Sequence, residues 1–149
     1  MTYGFLHGSW GHLAANLAGL TVTGLALSKA LGGLRFWALA LQGMAWGAVG
    51  FALSLACDAR LGTVTVCMGA SSVLAAMLGA SAALAFRSRV VVWVAFVPVR
   101  LRAAWLAPIL LAWCLAEAWF FPRTAAYGAH LGGGLAGVGC GLWWRRYFK

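Results

Sequence analysis

A serine hydroxyl becomes a usable nucleophile when a histidine is placed to take its proton. This sequence offers both in small-residue settings: Gly69-Ala70-Ser71-Ser72, and Gly128-Ala129-His130 followed by Gly132, Gly133, Gly134, Gly137 and Gly141. A third cluster reads His7-Gly8-Ser9-Trp10-Gly11-His12-Leu13-Ala14-Ala15-Asn16. His12 and Asn16 are four apart, which puts them on one helix face. Ser71 falls in the first turn of its helix, where free backbone N–H groups and the positive dipole end point outward. An oxyanion forming there would be stabilised by the Ser71 N–H, aided by donors from His12 and Asn16. Each residue also has a simpler use. A membrane histidine or Asn16 can tie two helices together, and Ser71 or Ser72 can bond back to the carbonyl four residues earlier. Those uses do not explain why all four lie at the same depth, which depends on the elements that carry them.

The chain is 64% hydrophobic and 9% charged, with a mean hydropathy of +0.90. A soluble domain carries roughly 25% charged residues, so lipid is the expected solvent. The pattern predicts an all-α, polytopic transmembrane bundle forming a single domain over 1–149. A span needs about 20 apolar residues. Five are expected, near 5–28, 36–57, 62–86, 103–121 and 128–144. The third opens with the β-branched run Gly62–Val66, a poor helix read as a re-entrant loop, with helix from about Ala70. Val90–Val99 is too short to span, is interrupted by Pro98, and is expected to lie at the interface between two Arg pairs. The start of the chain lacks the basic leader of a cleavable signal.

The cations orient these spans. Lys29, Arg35, Arg87, Arg89, Arg100, Arg102, Arg145, Arg146 and Lys149 fall on one side, and Arg60 and Arg123 on the other. The positive-inside rule places the first set in the cytoplasm, the N-terminus outside and the C-terminus inside. Spans one, three and five then all enter from the outer face, with His12, Asn16, Ser71 and His130 in their outer parts. Gly133, Gly137 and Gly141 make a small-residue stripe on span five; Ala75, Ala76, Gly79, Ala80 and Ala83 make another on span three. Such faces let helices approach closely in lipid, which would bring Ser71 within reach of His130.

Much other chemistry is excluded. Asp58 and Glu117 are the two carboxylates in the chain, which leaves paired-carboxylate catalysis and carboxylate-bridged metals without residues. There is no phosphate-binding Gly-x-x-x-x-Gly-Lys loop, and the three histidines lack a metal-ligand spacing such as His-x-x-x-His. No metal or other cofactor is expected. The net charge of +9 is spread singly between apolar runs, a topology signal rather than a nucleic-acid footprint. Cys57, Cys67, Cys114 and Cys140 show no Cys-x-x-Cys spacing, and free thiols are expected. Glu117, near the outer end of span four, is expected to reach headgroups or a cation, with a functional role as the alternative.

In series, these motifs resemble those of the rhomboid family of intramembrane serine proteases. That family shows His-x-x-x-x-His-x-x-x-Asn in one helix, Gly-x-Ser-Gly at the start of another, and Ala-His-x-x-Gly-x-x-x-Gly in its last core helix. The matching residues are His7, His12 and Asn16, then Gly69 and Ser71, then Ala129, His130, Gly133 and Gly137. The resemblance implies that Ser71 attacks the scissile carbonyl and His130 serves as its base and later as an acid. His12, Asn16 and the Ser71 N–H form the oxyanion hole, and His7 supports the cavity. It implies a dyad with no acidic third member. Span four would be a side gate for a substrate helix, with Trp113, Trp119 and Phe120 as its fillers. The chain departs from the pattern in three ways. Ser72 replaces the usual glycine. Ala75 stands where an aromatic often packs on the histidine. The chain begins almost at the His7 motif, without the usual first core helix and long loop, so it is either a five-span variant or one whose start lies upstream.

The expected function is intramembrane endoproteolysis of single-span membrane substrates near the outer membrane face, with the bilayer and a transmembrane protein as partners. The branch that trims C-terminal sorting anchors is a narrower form of this. The alternatives are an inactive rhomboid-like protein that binds transmembrane helices, and a small helical protein whose polar residues only pack. Abundant Ala, Gly and Arg with two Lys suggest a GC-rich genome and a bacterial plasma membrane.

Overall fold

The computed structural model describes residues 2–57, 67, 69–94, 97–120 and 126–147. Among them are five α-helices: α1 (Trp10–Leu31), α2 (Gly33–Cys57), α3 (Ser71–Leu84), α4 (Leu106–Phe120) and α5 (Ala126–Trp144). A short 3-10 turn over Thr2–Phe5 precedes them. A hairpin of strands β1 (Arg89–Val94) and β2 (Val97–Arg102) joins α3 to α4. Three helical stretches, Trp10–Leu31, Gly33–Cys57 and Ala103–Phe120, are long and apolar enough to cross a membrane. Their outward faces are apolar, with Leu25, Leu53 and Trp113 all exposed. Water does not tolerate such a surface over a whole bundle, whereas lipid does.

α3 is the central helix. Nine of its fourteen residues are buried, and Val73, Ala76, Met77 and Ala80 form a core with Leu27, Leu31, Leu39 and Ala40. Its partners run both ways along it. Gly19 and Gly24 of α1 face Leu74 and Met77, so α1 is parallel to α3. Gly133, Gly137 and Gly141 of α5 face Ser72, Ala76 and Ala80 in turn, so α5 is parallel too. Gly47 and Gly43 of α2 meet Ser72 and Ala76 in the reverse order, so α2 is antiparallel. The two small-residue stripes expected on the third and fifth spans therefore meet. Glycine at these contacts lets backbone touch backbone, and a methyl group at Gly133 or Gly137 would run into the Ser72 or Ala76 carbonyl oxygen.

The structure corrects the sequence reading at several points. α1 begins at Trp10, capped by Ser9, whose Oγ accepts from the His12 N–H at 3.1 Å. His7 is thus in the turn ahead of the helix rather than inside it. α1 ends at Gly32, whose φ of 75° suits a residue without a side chain. The Val90–Val99 stretch carries the paired strands of a hairpin. Arg89 pairs with Arg102, Val90 with Leu101 and Val91 with Arg100 in an antiparallel ladder. Val90, Val92 and Leu101 pack on Ala82, Ala103 and Leu106, while Arg89, Val91, Arg100 and Arg102 are exposed. Pro98 pairs with Trp93, and a two-stranded ladder is all edge, where proline is tolerated. The Gly62–Val66 run, Asp58, Arg60 and Arg123 lie outside the described residues. Cys57, Cys67, Cys114 and Cys140 are all free thiols.

Candidate active site

α1, α3 and α5 all begin at one end of the bundle, and the polar residues of their first two turns meet there. Ser71 Oγ lies 2.8 Å from His130 Nε2, a hydrogen bond across 59 residues of sequence. Hydroxyls deeper in the helices do something else. Thr21, Thr23, Ser28, Ser54 and Ser81 each donate to a carbonyl of their own helix, the usual way to hide a hydroxyl in lipid. Ser71 and Ser72 make bonds across elements instead. Ser71 is half-buried, and Ser72, next in the chain, is buried.

The backbone ahead of Ser71 is shaped by Gly69, whose φ is 97°. That left-handed region is costly for any residue with a side chain. A Cβ at Gly69 would also come within 2.7 Å of His12 Cε1, 2.8 Å of His12 Nε2 and 3.2 Å of Asn16 Nδ2. His12 and Asn16 are therefore packed against the bend that delivers Ser71. The Gly69 N–H donates to the Tyr3 carbonyl at 3.0 Å, which ties the N-terminal turn to the same bend. His7 is packed edge-on to His12, ring centroids 5.1 Å apart. The sequence-predicted residues Ser71, His130, His12, Asn16, His7 and Gly69 thus occupy one cluster.

Two polar atoms in this cluster are unspent. Asn16 Nδ2 and His7 Nε2 are buried and have no hydrogen-bond partner among the described residues. An unsatisfied buried donor costs about 1–3 kcal/mol. A donor kept in that state, packed against the bend that carries Ser71, is free to meet a group from outside the chain.

Two further residues join the cluster, Tyr3 and Glu117. Tyr3 donates its hydroxyl hydrogen to the Met44 carbonyl at 2.7 Å. Since a phenol has one hydrogen, the 2.9 Å contact between Tyr3 Oη and Ser72 Oγ makes Ser72 the donor. Glu117 is the second. Its Oε2 lies 2.7 Å from His130 Nδ1, with the two side chains 15% and 13% exposed. The expected dyad without an acidic neighbour is therefore corrected: the last turn of α4 brings a carboxylate to the far nitrogen of the histidine. Among the described residues, no cluster of His, Cys, Asp and Glu could hold a metal ion.

Comparison with known proteins gives the chain a family. The profile of the Rhomboid domain matches residues 1–147. Rhomboid protein 1, mitochondrial, of Saccharomyces cerevisiae is 32% identical over 134 residues, covering 90% of this chain and 38% of that protein. The chain therefore spans well under half the length of that curated relative. No solved structure matches it. The apolar helices and the domain match make the chain an integral membrane protein of the rhomboid family.

Proposed function

We propose that the chain is an intramembrane serine endopeptidase that cleaves single-span membrane proteins near the outer membrane face. The observation that carries this reading is the 2.8 Å hydrogen bond between Ser71 Oγ and His130 Nε2. Ser71 Oγ bonds to the scissile carbonyl carbon as its proton passes to His130 Nε2. The carbonyl oxygen takes up negative charge beside the Ser71 N–H, His12 and Asn16. Collapse breaks the C–N bond, and His130 returns the proton to the leaving amine. Water then attacks the seryl ester, losing its proton to His130, and a carboxylic acid and free Ser71 result.

The position of Ser71 supports a membrane-embedded reaction. α3 has 14 residues and is about 21 Å long, against an apolar layer of about 30 Å. A helix shorter than that layer leaves one end submerged when its other end reaches the interface. The Arg-bearing hairpin follows its C-terminal end, so the submerged end is the one with Ser71. Nine cations in one set of connections against two in the other support an orientation with the site toward the outer face, the N-terminus outside and the C-terminus in the cytoplasm. The composition favours a bacterial plasma membrane. A substrate helix hides its carbonyls in its own hydrogen bonds, so helix-destabilising residues near the cleavage point would favour cleavage.

The test is a serine-directed fluorophosphonate probe, in which Ser71 Oγ displaces fluoride from phosphorus. It is applied to the detergent-solubilised chain beside Ser71→Ala and His130→Ala variants of equal thermal stability. Labelling of the unaltered chain alone is the expected result. Equal labelling of all three would overturn the reading, and labelling of none would favour an inactive protein that binds transmembrane helices.

A further inference from the structure

We propose that Glu117 completes the site as a positioning residue. It holds His130 with a proton on Nδ1, so that Nε2 faces Ser71 as an acceptor. This rests on the reading of Ser71 and His130 as nucleophile and base.

The argument begins with the cost of the carboxylate. α4 reads Leu-Ala-Pro-Ile-Leu-Leu-Ala-Trp-Cys-Leu-Ala-Glu-Ala-Trp-Phe, and Glu117 is its one ionisable carboxylate. A mostly buried carboxylate on a lipid-facing helix is expensive unless paired. Its Oε2 is 2.7 Å from His130 Nδ1, on the ring edge opposite the nitrogen that meets Ser71 Oγ at 2.8 Å. A carboxylate that is ionised only accepts hydrogen bonds, which assigns the hydrogen to Nδ1 in that state. In a neutral ring Nε2 is then bare, the state needed to take the serine proton. When that proton arrives, the imidazolium meets a carboxylate already in place, with no reorganisation. The opposite tautomer would put a hydrogen on Nε2 and disable the base.

Among the described residues, the helix turns beside the ring carry small side chains. Ala75, one turn after Ser71, is buried and ends in a methyl group; it has no ring to stack on an imidazole. Gly133 and Gly134, on the turn after His130, add no side chain. Orientation of His130 falls to its two hydrogen bonds. Only one of these, to Glu117, persists while Ser71 is bonded to substrate. Because Glu117 sits on α4 and His130 on α5, the link also ties the reactive state to these helices being packed together.

The test combines rate and tautomer in the detergent-solubilised chain. With three histidines in the sequence, selective 15N-histidine labelling gives a spectrum in which His130→Ala identifies the His130 signals. The expected result is hydrogen on Nδ1 in the unaltered chain and loss of that preference in Glu117→Gln, whose amide can donate as well as accept. Fluorophosphonate labelling of Glu117→Gln should fall by roughly 100-fold or more, as orienting carboxylates of serine hydrolases do when neutralised. Glu117→Asp, which keeps the charge, should label faster than Glu117→Gln at matched thermal stability. Hydrogen on Nε2 in the unaltered chain, or an unchanged labelling rate in Glu117→Gln, would overturn the proposal. If Ser71→Ala and His130→Ala label like the unaltered chain, the nucleophile–base reading itself fails. If those two are silent and Glu117→Gln is unchanged, only the role of Glu117 fails. If no version labels, the nucleophile–base reading fails, and the tautomer comparison tests only whether Glu117 orients the ring.

Discussion

The hydroxyls of Tyr3 and Ser72 are joined at 2.9 Å, across 69 residues of sequence. The bond clamps the N-terminal turn onto the buried side of the helix that presents Ser71, while Tyr3 also reaches the Met44 carbonyl of α2 at 2.7 Å. One phenol thus connects three elements just beneath the site. A bulky residue cannot enter here, because a Cβ at Gly47 would lie 2.5 Å from Ser72 Cβ and 2.8 Å from Tyr3 Oη.

Tyr3→Phe removes both bonds and nothing else. Each neutral hydrogen bond contributes about 0.5–1.5 kcal/mol net, so a loss of about 1–3 kcal/mol is expected, read as a lower unfolding temperature in detergent. Ser72 is free to turn its hydroxyl to a carbonyl of its own helix, which moderates the loss. Labelling at Ser71 should slow modestly, because the Gly69 N–H keeps its bond to the Tyr3 backbone carbonyl. Labelling abolished at unchanged stability would contradict this division between scaffold and site.

Asn16 should behave in the opposite way. It is 4% exposed, and its Nδ2 has no partner among the described residues, so the folded state gains little from that donor. Asn16→Ala is expected to shift stability by no more than about 1 kcal/mol. If Nδ2 serves the oxyanion, substrate cleavage should fall by about 100- to 1000-fold. Measuring unfolding temperature and cleavage rate on the same preparation separates the two, and a fall in stability with an unchanged rate would make Asn16 a packing residue.

Gly69→Ala combines two penalties. The φ of 97° is strained for alanine, and the new methyl would press on the His12 ring at 2.7–2.8 Å. Left-handed backbone at a residue with a Cβ costs about 1–2 kcal/mol, and the contact adds to it. The bend that delivers Ser71 and the packing of His12 cannot both survive, so labelling should be lost even in molecules that remain folded. Full labelling of Gly69→Ala would show that the bend is not needed.

These residues also show what a sequence reveals and what it hides. The rule of four on a helix face made Gly133, Gly137 and Gly141 readable, and with them the meeting of the third and fifth helices and of Ser71 with His130. Gly43 and Gly47 follow the same rule on α2; that signal was present and unread. Tyr3 and Glu117 carry no such period. Tyr3 lies outside any helix, and the link from Glu117 to His130 crosses from one helix to the next, where only the packed bundle fixes the register. The hairpin was hidden for a related reason. Val90–Val99 is short and apolar whichever way it folds, and its strand identity comes from pairing Val90 with Leu101, not from either segment alone.

The same interface supplies a matched pair of substitutions on one helix. A methyl group at Gly137 would collide with the backbone of Ala76, its carbonyl oxygen first. Backbone cannot rotate aside as a side chain does, so α5 would have to back away from α3, taking His130 from Ser71. Gly139, two residues on, has open space around its missing Cβ. Helix propensity favours alanine at both positions by about 1 kcal/mol, so the pair isolates the contact. Gly139→Ala should be neutral or slightly stabilising. Gly137→Ala should cost about 1–3 kcal/mol from overpacking and slow labelling at Ser71. Thermal unfolding and labelling of the two variants side by side check this, and equal behaviour would mean that the close approach of α3 and α5 is not what holds Ser71 and His130 together.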